Sequence, residues 1–569
     1  MSPPGCPKGE LRSAQHEDSP VSDQMPLPVI GCEAVRQHLH QRQEIALLDV
    51  REEDPFAQAH PLFAVQLSAG RIELDAPWRL PRRDVLVVVY DDGEGLAEPA
   101  ARTLQRMGYS AVALLETDAA GSGLAAWRAG GGELFRDVNV PSKAFGELVE
   151  HERQTPSLAA EDLKDLIDTG ADIVVLDARR FDEYQTMCIP GGTSVPGAEL
   201  LLRVRDLAPD PRTRVIVNCA GRTRSLIGAQ SLLNAGIPNP VAALRNGTIG
   251  WTLAGLTLAH GQHRRFGAVS PHNHRLAQAS AQALAERAGV LRLGPPMVAA
   301  WRAEPGRSTY CWDVRTPEEY AAGHLPGFGS APGGQLVQET DVFAAVRGAR
   351  IVLADGGAAA DGVRAPMTAH WLAQMGWQVG YLSDVDPAAF TETGAWQPAG
   401  LAAPAQLSIA AAALAQALAA GPVELLDLGT SAQHTRAHLP GARWLLRSQL
   451  AQALQALAAQ APAGFVPARR VLVCADGRLS AWAAADLQAL GQADVQVLAG
   501  GLEAWVAAGL PVEAGTAHMI SPRIDRYRRP YEGTDAPGAA MQAYLDWEFG
   551  LVAQLAADAS HGFAVLPAA

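Results

Sequence analysis

The sequence predicts an α/β protein of four repeated domains, each a parallel sheet with helices on both faces. Two observations indicate this fold class. Short apolar runs, typical of strands that are buried on both faces, alternate with helical stretches. Four segments also read alike: Leu48-Asp49-Val50-Arg51, Leu176-Asp177-Ala178-Arg179, Trp312-Asp313-Val314-Arg315 and Leu426-Asp427-Leu428-Gly429. At 569 residues the chain has room for about four domains of roughly 100–150 residues each.

Other residues recur at fixed distances from these four aspartates. The eleventh residue after each one is His60, Cys188, His324 or His438. A proline follows two places later in the last three copies, at Pro190, Pro326 and Pro440, and Pro61 of the first copy comes one place early. Further on, the copies place Asp91, Cys219, Asp355 and Cys474 in turn, the last after a short insertion. Internal repetition is therefore the main feature of the chain.

The second copy shows the order of elements within a unit. We predict a helix over residues 161–169, strands over 173–176, 214–218 and 241–244, a helix from the Cys219 loop to residue 234, and a turn at 247–251. The fourth copy repeats this pattern, with strands over 471–473 and 495–498 and a helix over 480–490. In parallel sheets ligands bind beyond the carboxyl ends of the strands, which is where Cys219 and Cys474 fall.

Both cysteines end an apolar strand and precede a tight loop and a helix. A helix N-terminus and loop amides stabilise a thiolate, so we expect the pKa of each thiol to fall from about 8.5 to roughly 3.5–7.5. The catalytic residues predicted on this basis are Cys219, as the principal site, and Cys474. The alternative is that both are inert cysteines buried at strand ends.

The loop around Cys219 carries residues suited to an anionic substrate. Arg222 and Arg224 offer guanidiniums that match oxyanions, Gly221 lets backbone amides approach, and Ser225 caps the following helix. The alternative for the two arginines is solvated surface charge. Arg179 is expected to brace the loop.

The loop around Cys474 offers fewer such groups. It has Gly477 and one arginine, Arg478, as substrate-binding candidates, while Asp476 opposes thiolate formation. The fourth copy also has Gly429 where the other copies have arginine. We expect Cys474 to react more slowly or to serve another acceptor.

These motifs resemble the rhodanese, or thiosulfate sulfurtransferase, family. The resemblance covers residues 27–515 and rests on the Leu-Asp-x-Arg segments, the cysteine loops and three further motifs. These are the Glu-Tyr pairs at Glu183-Tyr184 and Glu319-Tyr320, Gly-His-Leu-Pro-Gly over residues 323–327, and Gly-Gly-x-x-x-Trp-x-x-Ala-Gly-x-Pro over 500–511. It implies a loop cysteine that takes sulfane sulfur from a donor such as thiosulfate. The persulfide then passes its sulfur to cyanide or a thiol.

The resemblance divides the chain into six segments. After a disordered segment, 1–26, come rhodanese-like domains at 27–136, 155–262, 280–397 and 405–515, and a tail at 516–569 with an amphipathic helix that is expected to dock on its own chain. The first and third domains are expected to be inactive, since Asp91 and Asp355 cannot form a persulfide and the loops 91–97 and 355–361 lack the arginine. A new catalytic role for these acids is the alternative. The order resembles a duplicated two-domain sulfurtransferase with its active cleft near the domain interface.

Composition excludes several classes of partner. The net charge is −14 with no long basic cluster, which argues against nucleic acid. No apolar run approaches the ~18 residues of a spanning helix, and residues 1–25 lack the apolar core of a signal peptide. Six cysteines without paired spacing indicate the reducing cytoplasm. His272 and His274 lack further ligands, so neither metal nor cofactor is expected.

Three functions remain open at this point. The first is a sulfurtransferase with a small-molecule sulfur donor and a thiol or cyanide acceptor. The second is a persulfide carrier that hands sulfur to partner proteins with little thiosulfate turnover. The third is a phosphatase or arsenate reductase, which is disfavoured because Cys-x-x-x-x-x-Arg loops end in arginine, whereas Ser225 and Ser480 stand at that position.

Overall fold

The computed structural model describes residues 26–356, 362–460 and 469–568. Within them the chain forms four five-stranded sheets, and every strand pair is parallel. Numbered along the chain within a unit, the strands of each sheet lie in the order 1-5-4-2-3. The predicted fold class, four repeated parallel α/β sheets, is therefore confirmed. All but the last residue of the predicted disordered segment 1–26 lies outside the described residues, as does the end of the loop 355–361.

The first two units have the following elements. Unit 1 contains strands β1 (Val29–Ile30), β2 (Ile45–Asp49), β3 (Ala64–Gln66), β4 (Leu86–Tyr90) and β5 (Val112–Leu115), and helices α1 (Cys32–His40), α2 (Glu53–Gln58), α3 (Ile72–Arg79), α4 (Ala97–Arg106) and α5 (Gly123–Ala129). Helix α6 (Val140–Arg153) leads to unit 2. Unit 2 contains β6 (Ser157–Leu158), β7 (Ile173–Asp177), β8 (Thr193–Ser194), β9 (Arg214–Asn218) and β10 (Val241–Leu244), and α7 (Ala160–Asp168), α8 (Phe181–Thr186), α9 (Leu200–Leu207), α10 (Thr223–Asn234) and α11 (Gly247–Leu253).

The second half repeats this arrangement after helix α12 (Pro271–Arg287). Unit 3 contains β11 (Leu291–Leu293), β12 (Thr309–Asp313), β13 (Gly329–Ser330), β14 (Arg350–Ala354) and β15 (Gln378–Leu382), and α13 (Pro295–Ala303), α14 (Pro317–Ala322), α15 (Gly333–Gln338), α16 (Thr340–Phe343) and α17 (Arg364–Gln374). Unit 4 contains β16 (Ser408–Ile409), β17 (Glu424–Asp427), β18 (Arg443–Trp444), β19 (Arg470–Val473) and β20 (Val495–Leu498), and α18 (Ala411–Ala420), α19 (Ser431–Arg436), α20 (Leu450–Gln460), α21 (Arg478–Ala489) and α22 (Gly501–Ala507).

The predicted elements of units 2 and 4 agree with these bounds to within one or two residues. The main difference lies at 247–251, which was predicted as a turn and begins helix α11. Strands β7 and β9 are central and pair along their full length, so that Asp177 lies beside Asn218 at the carboxyl edge of the sheet. This register brings the recurring aspartate of each repeat next to the loop that follows the central strand.

Units 1 and 3 share one apolar core. It contains strand residues of both sheets together with Trp78, Tyr310 and Trp312. The Tyr310 hydroxyl donates to the Arg79 carbonyl at 2.6 Å, and Ile45 of unit 1 forms an antiparallel bridge with Arg347 of unit 3. Units 1 and 3, which have Asp91 and Asp355 in place of the loop cysteine, therefore form the centre of the molecule.

Units 2 and 4 attach to this centre at different places. Unit 4 meets unit 1, where Arg447 donates to both carboxylate oxygens of Glu73 at 2.6 and 2.9 Å. Unit 2 meets unit 3, where Arg364 pairs with Glu199 at 2.6 Å. The loops of Cys219 and Cys474 therefore belong to units that contact different neighbours.

The tail docks on its own chain, as predicted. It forms helices α23 (Gly538–Phe549) and α24 (Leu551–Asp558). Leu551 and Leu555 belong to the apolar core of unit 1, while Leu545 packs with Ile249 of unit 2. None of the helices in the described ranges combines the length and the hydropathy that crossing a bilayer needs.

Candidate functional site

Cys219 stands between strand β9 and helix α10 and is buried, with 2% of its surface exposed. Its thiol donates to the Ser225 hydroxyl at 3.4 Å, which in turn donates to the Arg222 carbonyl at 2.8 Å. The carbonyls of Cys219 and Ala220 accept from two amides at the start of helix α11, at 2.9 and 3.0 Å. The loop is thus held from both sides, with Ser225 against the sulfur.

The expected lowering of the cysteine pKa is wrong in this structure. Burial raises the pKa of the Cys219 thiol, although Arg224 and Ser225 work against that rise. Burial also raises the pKa of Cys474, against Ser480, and Asp476 raises it further, as predicted. Loop amides and a nearby guanidinium lower the pKa of these thiols by less than burial raises it.

Arg222 is neither a solvated surface charge nor a free anion site. It is buried, and its guanidinium donates to both oxygens of Glu147 on helix α6 at 2.8 and 2.9 Å. The same guanidinium also pairs with Glu150 and lies 4.2 Å from the ring centre of Phe549 on the tail. Two carboxylates therefore occupy the donors that the sequence assigned to substrate.

Arg224 forms a second buried pair, with both oxygens of Glu183 at 2.8 and 2.9 Å. Burial acts to raise the pKa of Glu183, but the Arg224 guanidinium lowers it to about 2. Unit 3, which has no loop cysteine, contains the same pair between Arg364 and Glu319, at 2.9 Å. Since the loop prediction ended at residue 361, it missed Arg364. The pair is part of the fold rather than of a cysteine site.

Arg179 has a structural role, but its hydrogen bonds among the described residues do not reach the Cys219 loop, so the expected bracing of that loop stays a prediction. It is buried, pairs with Asp177 at 2.7 Å and donates to the Met187 carbonyl at 2.6 Å. Arg51 and Arg315 make the same pairs in units 1 and 3. Unit 4 has Gly429 instead, and there the His434 ring lies 2.7 Å from the Asp427 carboxylate.

Cys474, unlike Cys219, lines a large cavity. Ser480 donates its amide to the Cys474 sulfur at 3.4 Å, and Gly477 adopts a left-handed conformation (φ +89°) that turns the chain into helix α21. The cavity, of about 500 Å³, lies between units 4 and 1. It is lined by cationic residues of both units, Arg71, Arg79, Arg447 and Arg478, and by the acidic residues Glu52, Glu53, Asp75, Asp476 and Asp525.

Small and neutral residues open this cavity towards the sulfur. Gly429, Gln433 and Leu479 line it at the positions that Arg179, Glu183 and Arg224 hold in unit 2. In unit 2 those three side chains form ion pairs and line a smaller cavity, of about 290 Å³. The loss of the pairs in unit 4 therefore exposes Cys474 to a cavity.

The aspartates of units 1 and 3 sit in their own loops. Asp91 accepts hydrogen bonds from the amides of Gly93 at 3.0 Å, Ala97 at 2.8 Å and Leu96. Asp355 accepts from the amides of Gly362 at 3.2 Å and Ala365 at 2.8 Å. The loop after the central strand is thus an anion cradle, which these two units fill with a carboxylate.

The tail covers the Cys219 loop, which was not predicted from the loop sequence. A Cβ on Gly221 would lie 3.1 Å from Tyr544 Cε1 and 3.4 Å from Glu548 Oε2. Gly221 is therefore needed here to admit the tail helix. The amphipathic stretch at 539–556 signals docking, but not where it docks.

The described residues contain no cluster of three or more His, Cys, Asp or Glu side chains able to hold a metal ion. Five cysteines lie in the described ranges, and all five are free thiols.

A family model described as "Rhodanese-like domain" matches residues 32–127, 159–254 and 410–508. The chain is also 61% identical to a thiosulfate sulfurtransferase from Pseudomonas aeruginosa, whose crystal structure matches with a TM-score of 0.91 over 95% of this chain and 100% of that one. The chain therefore belongs to the rhodanese family and is a rhodanese-type enzyme. A putative sulfur carrier protein, YrkF, of Bacillus subtilis (strain 168) is 26% identical over 179 residues, 28% of this chain and 94% of that protein.

Proposed function

We propose that this protein is a sulfurtransferase that moves sulfane sulfur from thiosulfate, or a similar anionic donor, to cyanide or a thiol through cysteine persulfides. Each thiolate attacks the outer sulfur of thiosulfate, and sulfite leaves with the electron pair of the broken S–S bond. An acceptor nucleophile then attacks the outer sulfur of the persulfide, and the cysteine leaves as a thiolate. Atoms and charge balance without any cofactor.

The anion cradle around Asp91 is the observation that carries this proposal. Two bonds separate the Cβ of Asp91 from its carboxylate oxygens, and two bonds would separate the Cβ of a cysteine from the outer sulfur of its persulfide. Loops of the same design surround Cys219 and Cys474. An amide nest that binds the Asp91 carboxylate in unit 1 suits a persulfide anion in units 2 and 4.

We assign the small anionic donor mainly to Cys474. Its cavity is open and has Arg478 in its lining, together with Arg71 and Arg447, which pair with Asp75 and Glu73. At Cys219 the candidates Arg222 and Arg224 already pair with carboxylates, so a substrate-binding role for them competes with those pairs. This proposal reverses the order expected from the sequence, in which Cys219 came first.

Steady-state kinetics of the single variants tests this assignment. We expect Cys474→Ser to lose most of the thiosulfate:cyanide turnover and Cys219→Ser to retain most of it. A Cys219→Ser variant that loses turnover while Cys474→Ser keeps it would contradict the assignment and restore the order expected from the sequence.

A sulfur relay at Cys219 is the second candidate function. The tail covers this loop, which suits the transfer of sulfur to a thiol acceptor better than rapid exchange with free thiosulfate. The likeness to a putative sulfur carrier protein supports the same idea. We also propose a cytoplasmic location, since the free thiols suit a reducing compartment.

A further inference from the structure

Glu548 of the tail helix α23 is a fully buried acid that faces the Cys219 loop. One carboxylate oxygen, Oε1, accepts from the Tyr544 hydroxyl at 2.8 Å. The other, Oε2, lies 3.4 Å from the position of a Cβ on Gly221 and finds no hydrogen-bond partner among the described residues. Buried polar atoms are rarely left without a partner, so this oxygen points to a group that binds in the loop.

The charges around Glu548 favour its neutral form. Arg222, its cationic neighbour in the loop, is already shared by Glu147 and Glu150. Burial and the nearby Glu147 carboxylate raise the pKa of Glu548 to about 8, against the influence of Lys143, the Tyr544 hydrogen bond and Arg222. Glu548, the third carboxyl group beside the single guanidinium of Arg222, therefore keeps its proton at neutral pH.

The remaining groups around it do not change this result. Lys143 on helix α6 lies near the tail aromatic rings and acts to lower the pKa of Glu548, although it pairs with Asp137 at 2.5 Å. Tyr531 packs against Tyr544, with ring centres 5.2 Å apart. With Tyr544 bound to Oε1, the proton of Glu548 is free to sit on Oε2, on the side of the Cys219 loop.

We propose that Glu548 is a catalytic acid of the Cys219 site, and that it protonates the outer sulfur of the Cys219 persulfide as a thiol acceptor takes that sulfur. This role rests on the proposed function of Cys219. It also assigns a chemical purpose to the docking of the tail, which brings this carboxyl to a loop more than 300 positions earlier in the chain.

The step balances without an oxidant or reductant. The acceptor thiolate forms an S–S bond with the outer sulfur, and the bond from that sulfur to Cys219 Sγ breaks. The electron pair of the broken bond stays on Cys219 Sγ. The Glu548 proton goes to the outer sulfur, which leaves as a neutral hydropersulfide of the acceptor, and water later returns a proton to Glu548. Without this proton a thiolate would have to attack an anionic persulfide.

The test follows the discharge of a preloaded persulfide in a Cys474→Ser background. Inorganic polysulfide loads the protein, intact-mass analysis with peptide mapping confirms sulfur on Cys219, and a thiol then discharges it. We expect Glu548→Gln to slow discharge at pH 7 by about a hundredfold, a typical contribution of a general acid. At each pH the rate of the parent protein is divided by the rate of Glu548→Gln, which cancels the ionisation of the acceptor thiol. This ratio is expected to fall as the pH rises through about 8, because Glu548 of the parent protein then loses its proton.

Two further variants separate catalysis from folding. Asp546→Asn removes a carboxylate from the exposed face of the same helix and should discharge like the parent. Tyr544→Phe removes the hydrogen bond to Oε1 that favours the charged form, so it should move the inflection of the pH profile upward.

Each remaining outcome has a definite meaning. Equal discharge rates for Glu548→Gln and its parent on a loaded Cys219 would overturn the role of Glu548 and leave the proposed function standing. Failure of polysulfide to load Cys219 would overturn the proposed function of that cysteine and this role with it. A slow Glu548→Gln variant whose rate ratio does not depend on pH would mean that Glu548 only holds the tail in place.

Discussion

At the scale of single residues, the arginines of unit 2 stabilise the loop rather than present charge to solvent. Arg224 and Glu183 form a bidentate pair with both side chains largely buried. Removing one partner of such a pair leaves the other as an uncompensated buried charge, which is costly, even where the intact pair adds little net stability. The pair in unit 3 follows the same logic.

We expect Arg224→Ala to lower the free energy of unfolding by about 1–3 kcal/mol, because the half-buried Glu183 carboxylate would lose its partner. Chemical denaturation monitored by fluorescence measures this. Arg212→Ala, which breaks an ion pair on the exposed surface of the same unit, is the control and should change stability little. An Arg224→Ala protein as stable as the control would show that the pair contributes nothing.

The same pair predicts a pH dependence with a definite sign. The pKa of Glu183 in the folded protein, about 2, lies below the ordinary value of about 4.3. Its contribution to stability is therefore present above about pH 4.3 and is lost as the pH falls towards 2. Over that range the stability difference between the parent protein and Glu183→Gln should shrink. A difference that stays constant would contradict the lowered pKa.

At the scale of one element, the units differ in the group that the loop after the central strand holds. Its amides bind a carboxylate in units 1 and 3, while in units 2 and 4 the same loop surrounds a thiol. We propose that replacing the cysteine with aspartate, which fills the cradle permanently, makes a unit silent. Such a replacement keeps the loop folded and removes the nucleophile.

Asp91→Ala and Asp355→Ala should consequently affect stability more than activity. Each removes a carboxylate that accepts several amides, which costs about 1–3 kcal/mol when the amides stay buried. Turnover measured below the unfolding temperature should change little. A hundredfold loss of rate in either variant would falsify the silent assignment and point to acid–base chemistry at these aspartates.

At the scale of the whole molecule, units 1 and 3 form the centre, and unit 1 helps to line the cavity in front of Cys474 in unit 4. Unit 1 contributes Arg71 to the cavity in front of Cys474. Against its partial burial, Asp75, then Glu52 and, most weakly, Cys474 raise the pKa of Arg71, so Arg71 and Cys474 interact across the interface. Unit 1 therefore contributes to the cavity in front of Cys474, although its own loop has no cysteine.

We expect Arg71→Gln to raise the KM for thiosulfate in a Cys219→Ser background. Because the Arg71 side chain is 45% exposed and already paired with Asp75, the loss is about 1 kcal/mol, roughly fivefold in KM. Arg128→Gln, an exposed change elsewhere on unit 1, is the matched control. An unchanged KM in Arg71→Gln would exclude unit 1 from donor binding.

The sequence was sufficient to predict the features that repeat or that depend on near neighbours. The fourfold repeat of parallel α/β units and the docking of the tail on its own chain both follow from local patterns. The environment of Cys219 could not be predicted in this way. Glu147 and Glu548 reach it from distant segments, and no spacing in the chain reveals which of the charged residues meet. The direction of the cysteine pKa was missed for the same reason, since burial by those segments dominates it.

The central claim is that Cys219 and Cys474 carry sulfur and that the other two units do not. Intact-mass analysis with peptide mapping after thiosulfate treatment tests it most directly, on the parent protein, on Cys219→Ser, on Cys474→Ser and on the double variant. We predict up to two added sulfur atoms on the parent protein, one on each single variant and none on the double variant. Sulfur added to the double variant, or none added to the parent protein, would contradict the claim.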